Sequence, residues 1–168
     1  MTFIEIDKQR YRQRLNRVIV IFVSGFALLA LAIGGLLIAL FSAPDADNFA
    51  YNLSGVAIAL VVCGGFLNTF KDKPYFHEIM YVWQLKQLQN KIYRKLVKIK
   101  AAAKDNNIDA LNILYFYYQS LQQVYLLDDN TLTMTKVNQD LTVLLDQIES
   151  LQLDKNTLVF DEALIKNF

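Results

Sequence analysis

The sequence predicts an all-α protein: a two-span transmembrane helical hairpin followed by a cytoplasmic bundle of about three amphipathic helices. Three observations carry that expectation. Residues 18–41 and 49–70 contain no charged side chain. A polar stretch at 42–48, with Pro44, Asp45 and Asp47, separates them. From Tyr81 onward, apolar residues recur at steps of three and four, the period of helices with one buried face. The implied division is a basic cytoplasmic segment at 1–17, a hairpin at 18–70 and a cytoplasmic helical module at 71–168.

The first span is argued from length. A hydrocarbon core about 30 Å thick needs about 20 apolar helical residues. Val18 to Phe41 reaches about 36 Å at the helical rise, enough to cross with some tilt. It is longer than the apolar part of a signal peptide, about 7–15 residues, and no small-x-small cleavage site precedes the turn. A second apolar run directly afterwards also favours a retained hairpin. A soluble core would instead spread its apolar residues along the chain.

Ser42 to Asn48 is turn chemistry. In the second span Asn52, Ser54 and Asn68 sit toward the ends, and Leu53 to Leu67 is strongly apolar. Small residues recur four apart: Ala30 and Gly34, Gly35 and Ala39, then Gly55, Ala59 and Cys63. Such stripes let helices approach closely in lipid, and packing of the two spans on each other is the expected use. A homo-oligomer is the alternative. Neither span holds an ionisable Asp, Glu, Lys, Arg or His, which argues against a transporter or pump and leaves open a passive channel.

Charge sets the orientation. The chain carries a net charge of only +1, yet five Lys and Arg precede residue 18 and nine lie between 71 and 104, with none in the turn. Both termini are therefore expected in the cytoplasm. The stretch 105–168 holds ten acidic residues against three Lys, so a basic block is followed by an acidic one.

In the cytoplasmic part, Pro74 suits a first helical turn. Tyr81, Leu85, Leu88, Ile92, Leu96 and Ile99 predict one apolar face running through about Ala103. Lys104 to Asn107 reads as a break that caps the next helix, striped by Leu111, Leu114, Tyr118, Leu121 and Tyr125. The stretch "LDDNTLT" opens a third helix, with Thr133 or Thr135 as its cap and Val137, Leu141, Leu144, Ile148 and Leu151 as its stripe. The tail from Asp154 fits either loop or a short fourth helix.

Candidates for chemistry are few. Lys91, Arg94, Lys95 and Lys98 gather on one arc, suited to a protein partner, to anionic lipid, to the acidic segment or to solvent. Nucleic acid would meet only unspecific attraction there. Asp128 and Asp129 lack the alternating oxygen ligands of a calcium loop, and turn chemistry is their expected use. His77 has no zinc-ligating companion, and the single Cys63 rules out an intramolecular disulfide. Trp83 and the run Tyr115 to Gln119 are expected to pack. No cofactor, metal or catalytic residue is assigned, and an enzyme is not expected.

The segments "YRQRLNR", "YVWQLKQLQNKIYRKL", "FYYQ" and "LDDNTLTM" together resemble the proteobacterial membrane-protein family catalogued as domain of unknown function 3087. The resemblance runs from about Asp7 to the third cytoplasmic helix and implies a multi-pass protein of the bacterial inner membrane. It supplies no activity. The expected role is therefore that of an accessory or assembly factor, anchored in lipid and binding a protein partner; the alternative is an oligomeric passive channel or membrane-stress protein.

Overall fold

The computed structural model describes residues 3–44, 46–154 and 158–168, and among them every regular element is helical. They are α1 (Lys8–Phe41), α2 (Phe49–Phe70), α3 (His77–Tyr93), α4 (Leu96–Lys104), α5 (Ile108–Asp128) and α6 (Thr131–Ser150), with short 3-10 turns at Pro74–Phe76 and Glu162–Asn167. Two compact units emerge, one of Arg12–Ile79 and one of Met1–Tyr11 with Met80–Phe168. These units group residues by packing, whereas the division at 17 and 70 is one of membrane topology. The start of the chain belongs with the C-terminal helices, and 71–79 belong with the hairpin.

In the hairpin unit, α1 and α2 are long and apolar enough to cross a membrane. Their connection is built from local hydrogen bonds. The Asp47 carboxylate accepts from the Phe49 backbone N–H at 2.9 Å, and Ser42 Oγ donates to Asn48 Oδ1 at 2.6 Å. Tyr51 Oη donates to the Phe41 carbonyl at 3.0 Å, tying the end of α1 to the start of α2. Asp45 lies outside the described residues.

The two helices touch backbone to backbone. A Cβ on Gly55 would fall 2.6 Å from Gly34 N and 2.9 Å from the Ala30 carbonyl oxygen, so only hydrogen fits there. Gly34, Gly55 and Ala59 are buried at this crossing, and Cys63 is half-buried. Gly35 and Ala39 take no such part: both are exposed, and an added Cβ on Gly35 meets nothing within 4 Å. A four-residue step leads 34 to 38, not to 35, so adjacent glycines cannot share one packing face. At the unit's polar end Pro74 opens the 3-10 turn, and the Arg14 guanidinium lies 5.1 Å over the Tyr75 ring and 3.5 Å from the buried Glu78 carboxylate.

The second unit is organised around α5. Ala110, Leu111, Ile113, Leu114, Phe116, Tyr117, Tyr118, Ser120, Leu121, Val124 and Leu127 are all buried, far more than one stripe. Helix α6 packs on it through Val137, Leu141, Leu144 and Ile148, and α4 through Ile99 and Ala103. Helix α3 reaches it by polar contacts as well: Tyr81 Oη donates to Gln123 Oε1 at 3.0 Å, and Gln89 Nε2 donates to the wholly buried Ser120 Oγ at 3.2 Å. That hydroxyl donates in turn to the Tyr117 carbonyl, so the buried pair is satisfied.

Helix ends depart from expectation in two places. The predicted continuous first helix breaks at Arg94 and Lys95, where the Lys95 N–H bonds to the Ile92 carbonyl three residues back and tightens the ladder. The third helix begins at Thr131 rather than at a Thr133 or Thr135 cap. Asp129 adopts a left-handed conformation (φ 57°), and the Asn130 N–H already bonds to the Tyr125 carbonyl, so the chain reverses sooner than the caps suggested. All six glycines lie at 25–65, so left-handed positions in the bundle fall to Asn106, Asp129 and Gln152. Asn107 caps α5 as expected, accepting from the Ala110 N–H at 2.9 Å.

Candidate functional site

A groove on the bundle arises where the C-terminal tail returns to α3. Phe160 stacks on Phe116 of α5, ring centroids 3.9 Å apart and planes within 6°. Asp161 then caps the terminal 3-10 turn by accepting from the Ala163 N–H, and Glu162 receives Lys91 Nζ at 2.5 Å. Between tail and helix lies a groove of about 690 Å³ lined by Trp83, Gln84, Gln87, Leu88 and Lys91 on one side and Val159, Phe160, Asp161 and Glu162 on the other.

Trp83 is 54% exposed along this groove, so its expected burial is overturned. Its neighbours Val82 and Leu85 take the core positions, and helical rotation turns the indole outward. The run Tyr115 to Gln119 does pack: Phe116, Tyr117 and Tyr118 are buried. Burial, with the neighbouring Tyr125, Tyr118 and Tyr93 phenols as secondary causes, pushes the Tyr117 hydroxyl up to about 12. The groove offers an indole, two amides and an ion pair, a set suited to binding an extended or helical segment.

The basic arc is split by the structure. Lys91 is committed to Glu162, and Lys95 Nζ donates to the Ile165 carbonyl at 2.9 Å. Arg94 and Lys98 are exposed, and their side chains make no hydrogen bond or ion pair among the described residues. A second depression beside the first, of about 590 Å³, is lined by Lys91, Arg94, Lys95 and Lys166 against the one carboxylate of Glu162.

Asp128 and Asp129 serve as fastenings. Lys86 Nζ donates to Asp128 Oδ2 at 2.7 Å, Tyr11 Oη donates to Asp128 Oδ1 at 3.5 Å, and the Lys8 ammonium pairs with Asp129. Burial, reinforced by the Asp128 charge, pushes the Tyr11 hydroxyl up to about 12. His77 is exposed at the start of α3. No group of three His, Cys, Asp or Glu able to hold a metal occurs among the described residues.

Sequence reasoning missed the N-terminal arm. Phe3 packs against Phe116 at 5.4 Å between centroids, and the Ile4 backbone is held at both ends, its N–H by Tyr81 Oη and its carbonyl by Gln123 Nε2. The available signal was "FIEI", three apolar residues around Glu5 ahead of the arginines and too short to interpret alone. Phe160 was equally silent as a lone aromatic beyond residues 155–157, which lie outside the described residues.

A family model described as "Protein of unknown function (DUF3087)" matches residues 1–165. No curated protein and no solved structure matches the chain.

Proposed function

The chain belongs to the DUF3087 family, described only as one of unknown function, and we propose that it is a small integral membrane protein whose hairpin anchors a partner-binding helical bundle. The observation that carries this reading is the placement of apolar side chains on α1 and α2. Only 11% of each apolar window is buried, and Leu31 and Val61 are about three-quarters exposed. The core helix of a soluble domain buries such residues, because exposed apolar surface costs about 25 cal/mol per Å² in water. Lipid removes that cost.

The Lys and Arg flanks favour both termini in the cytoplasm, and the resemblance noted above favours the inner membrane of a bacterium. Reporters active in one compartment, fused at the 42–48 turn and after Phe168, test the orientation; signals from the same side overturn it. The bundle's role is to bind a protein through the Trp83 groove, as an accessory or assembly factor without chemistry of its own. In-cell photocrosslinking from Gln87 is expected to capture one partner reproducibly, and to lose it in Trp83→Ala. Recovery of only this chain itself would overturn the partner reading. The channel alternative loses much of its motive, since Ala30, Gly34, Gly55 and Ala59 are consumed inside the hairpin.

A further inference from the structure

Four positions around the break between α3 and α4 lie outside the Trp83 groove. Tyr93 is 68% exposed and Val97 is 84% exposed, while Arg94 and Lys98 beside them are exposed and unpaired among the described residues. Ala101 and Lys104 continue the exposed side. Along α4, at 100° per residue, Val97, Lys98, Ala101 and Lys104 fall within an arc of about 120°, opposite the buried Ile99 and Ala103, and Tyr93 and Arg94 lead into this side from the break between the helices. No acidic residue occurs between Lys91 and Lys104.

We infer that this ridge docks on an anionic lipid surface, Arg94 and Lys98 meeting the headgroup phosphates and Tyr93 and Val97 entering the interface between them. Three features favour lipid over an acidic protein. The strip lies outside the Trp83 groove, only Arg94 sharing the adjoining depression, and a one-sign strip of charge with apolar side chains between the cations suits an interface. The bundle's acids are concentrated in 105–168, and those that reach the basic segment are already used, Glu162 on Lys91 and Asp140 at 3.7 Å from Lys100. Finally, the chain itself supplies the surface, since only 23 residues separate Phe70, the end of α2, from Arg94. That last point rests on the membrane reading proposed above.

The test uses the full chain with Cys63→Ala and one new cysteine bearing a fluorophore, in nanodiscs containing doxyl-labelled lipid. The discs are made either of phosphatidylcholine alone or of phosphatidylcholine with phosphatidylglycerol. A label at Val97→Cys is expected to be quenched in the anionic discs and not in the neutral ones, with partition to the surface falling about fivefold for each of Arg94→Gln and Lys98→Gln. A label at Leu132→Cys, on the exposed start of α6, is expected to stay unquenched in both. No quenching at 97 in anionic discs, or equal quenching at 97 and 132, overturns the inference. So does a response at 97 to added polyglutamate with none to phosphatidylglycerol, which would assign the ridge to an acidic protein. A label at Leu31→Cys separates the two claims: quenched in every disc, it leaves the membrane reading standing whatever happens at 97, and unquenched it removes both.

Discussion

The hairpin and the bundle use the same helix for opposite purposes. In the hairpin, bulky apolar side chains point outward and the smallest residues are buried: Gly34, Gly55 and Ala59 sit where the helices meet. In the bundle the order is reversed. Leu85, Ile92, Ile99, Leu111 and Ile113 are fully enclosed, and Lys, Asp and Gln take the outside. The hairpin therefore relies on close backbone approach, whereas the bundle relies on removing apolar area from water. Each unit should fail by its own route.

The largest expected effect is on the bundle. Phe116→Ala removes the ring that meets both Phe3 and Phe160 and should destabilise this unit by about 3–5 kcal/mol. Hydrogen exchange would show it as lost protection in α5 and α6 with α2 unchanged; parallel loss in α2 would erase the distinction between units. Next is Gly55→Ala, which forces a methyl to within 2.6 Å of backbone and should cost the hairpin about 1–3 kcal/mol. Gly35→Ala, with open space around it, serves as the control and should be near neutral. Equal effects from the two glycines would mean that the crossing lies elsewhere.

Alkali should also discriminate between the units. Tyr11 and Tyr117 have hydroxyls raised to about 12 by burial, so the folded bundle keeps protons that the unfolded chain releases above its ordinary value of 10.0. Stability is then complete below pH 10 and falls as pH rises toward 12. Chemical denaturation at stepped pH, with Tyr117→Phe as the comparison, should show the wild-type bundle losing stability more steeply over that window. A smaller effect of opposite sign is expected from Gln152→Gly. Gln152 holds a left-handed backbone (φ 55°) that glycine adopts freely, and the exchange should stabilise the bundle by up to about 1 kcal/mol in a thermal melt.

How much of this was legible follows from the same contrast. Uncharged length is a one-dimensional property, so the hairpin could be delimited directly, and the observed α1 and α2 end at Phe41 and Phe70 as expected. The stripes of α5 and α6 were equally readable because helical period is local. What escaped was every feature that depends on distant partners. Phe3 and Phe160 have no periodic neighbours, and their role exists only because α5 is covered on almost all sides. The basic arc was visible as a unit, yet its division into committed Lys91 and Lys95 and unpaired Arg94 and Lys98 depends on where residues 162–165 return. Trp83 was misjudged because period alone does not say which of the neighbouring apolar residues Val82, Trp83 and Leu85 turns away.

The meeting of Phe3 and Phe160 on Phe116 has a consequence for biogenesis. The first of these rings precedes the hairpin in the chain and the last follows α6, so the arm must wait until the hairpin and every bundle helix have been made for its final neighbour. Residues 18–70 have meanwhile been made and are free to enter lipid early. Insertion would then precede completion of the soluble half, and a prematurely terminated chain would leave an anchored but unfinished bundle, exposing Phe116 to quality-control proteases.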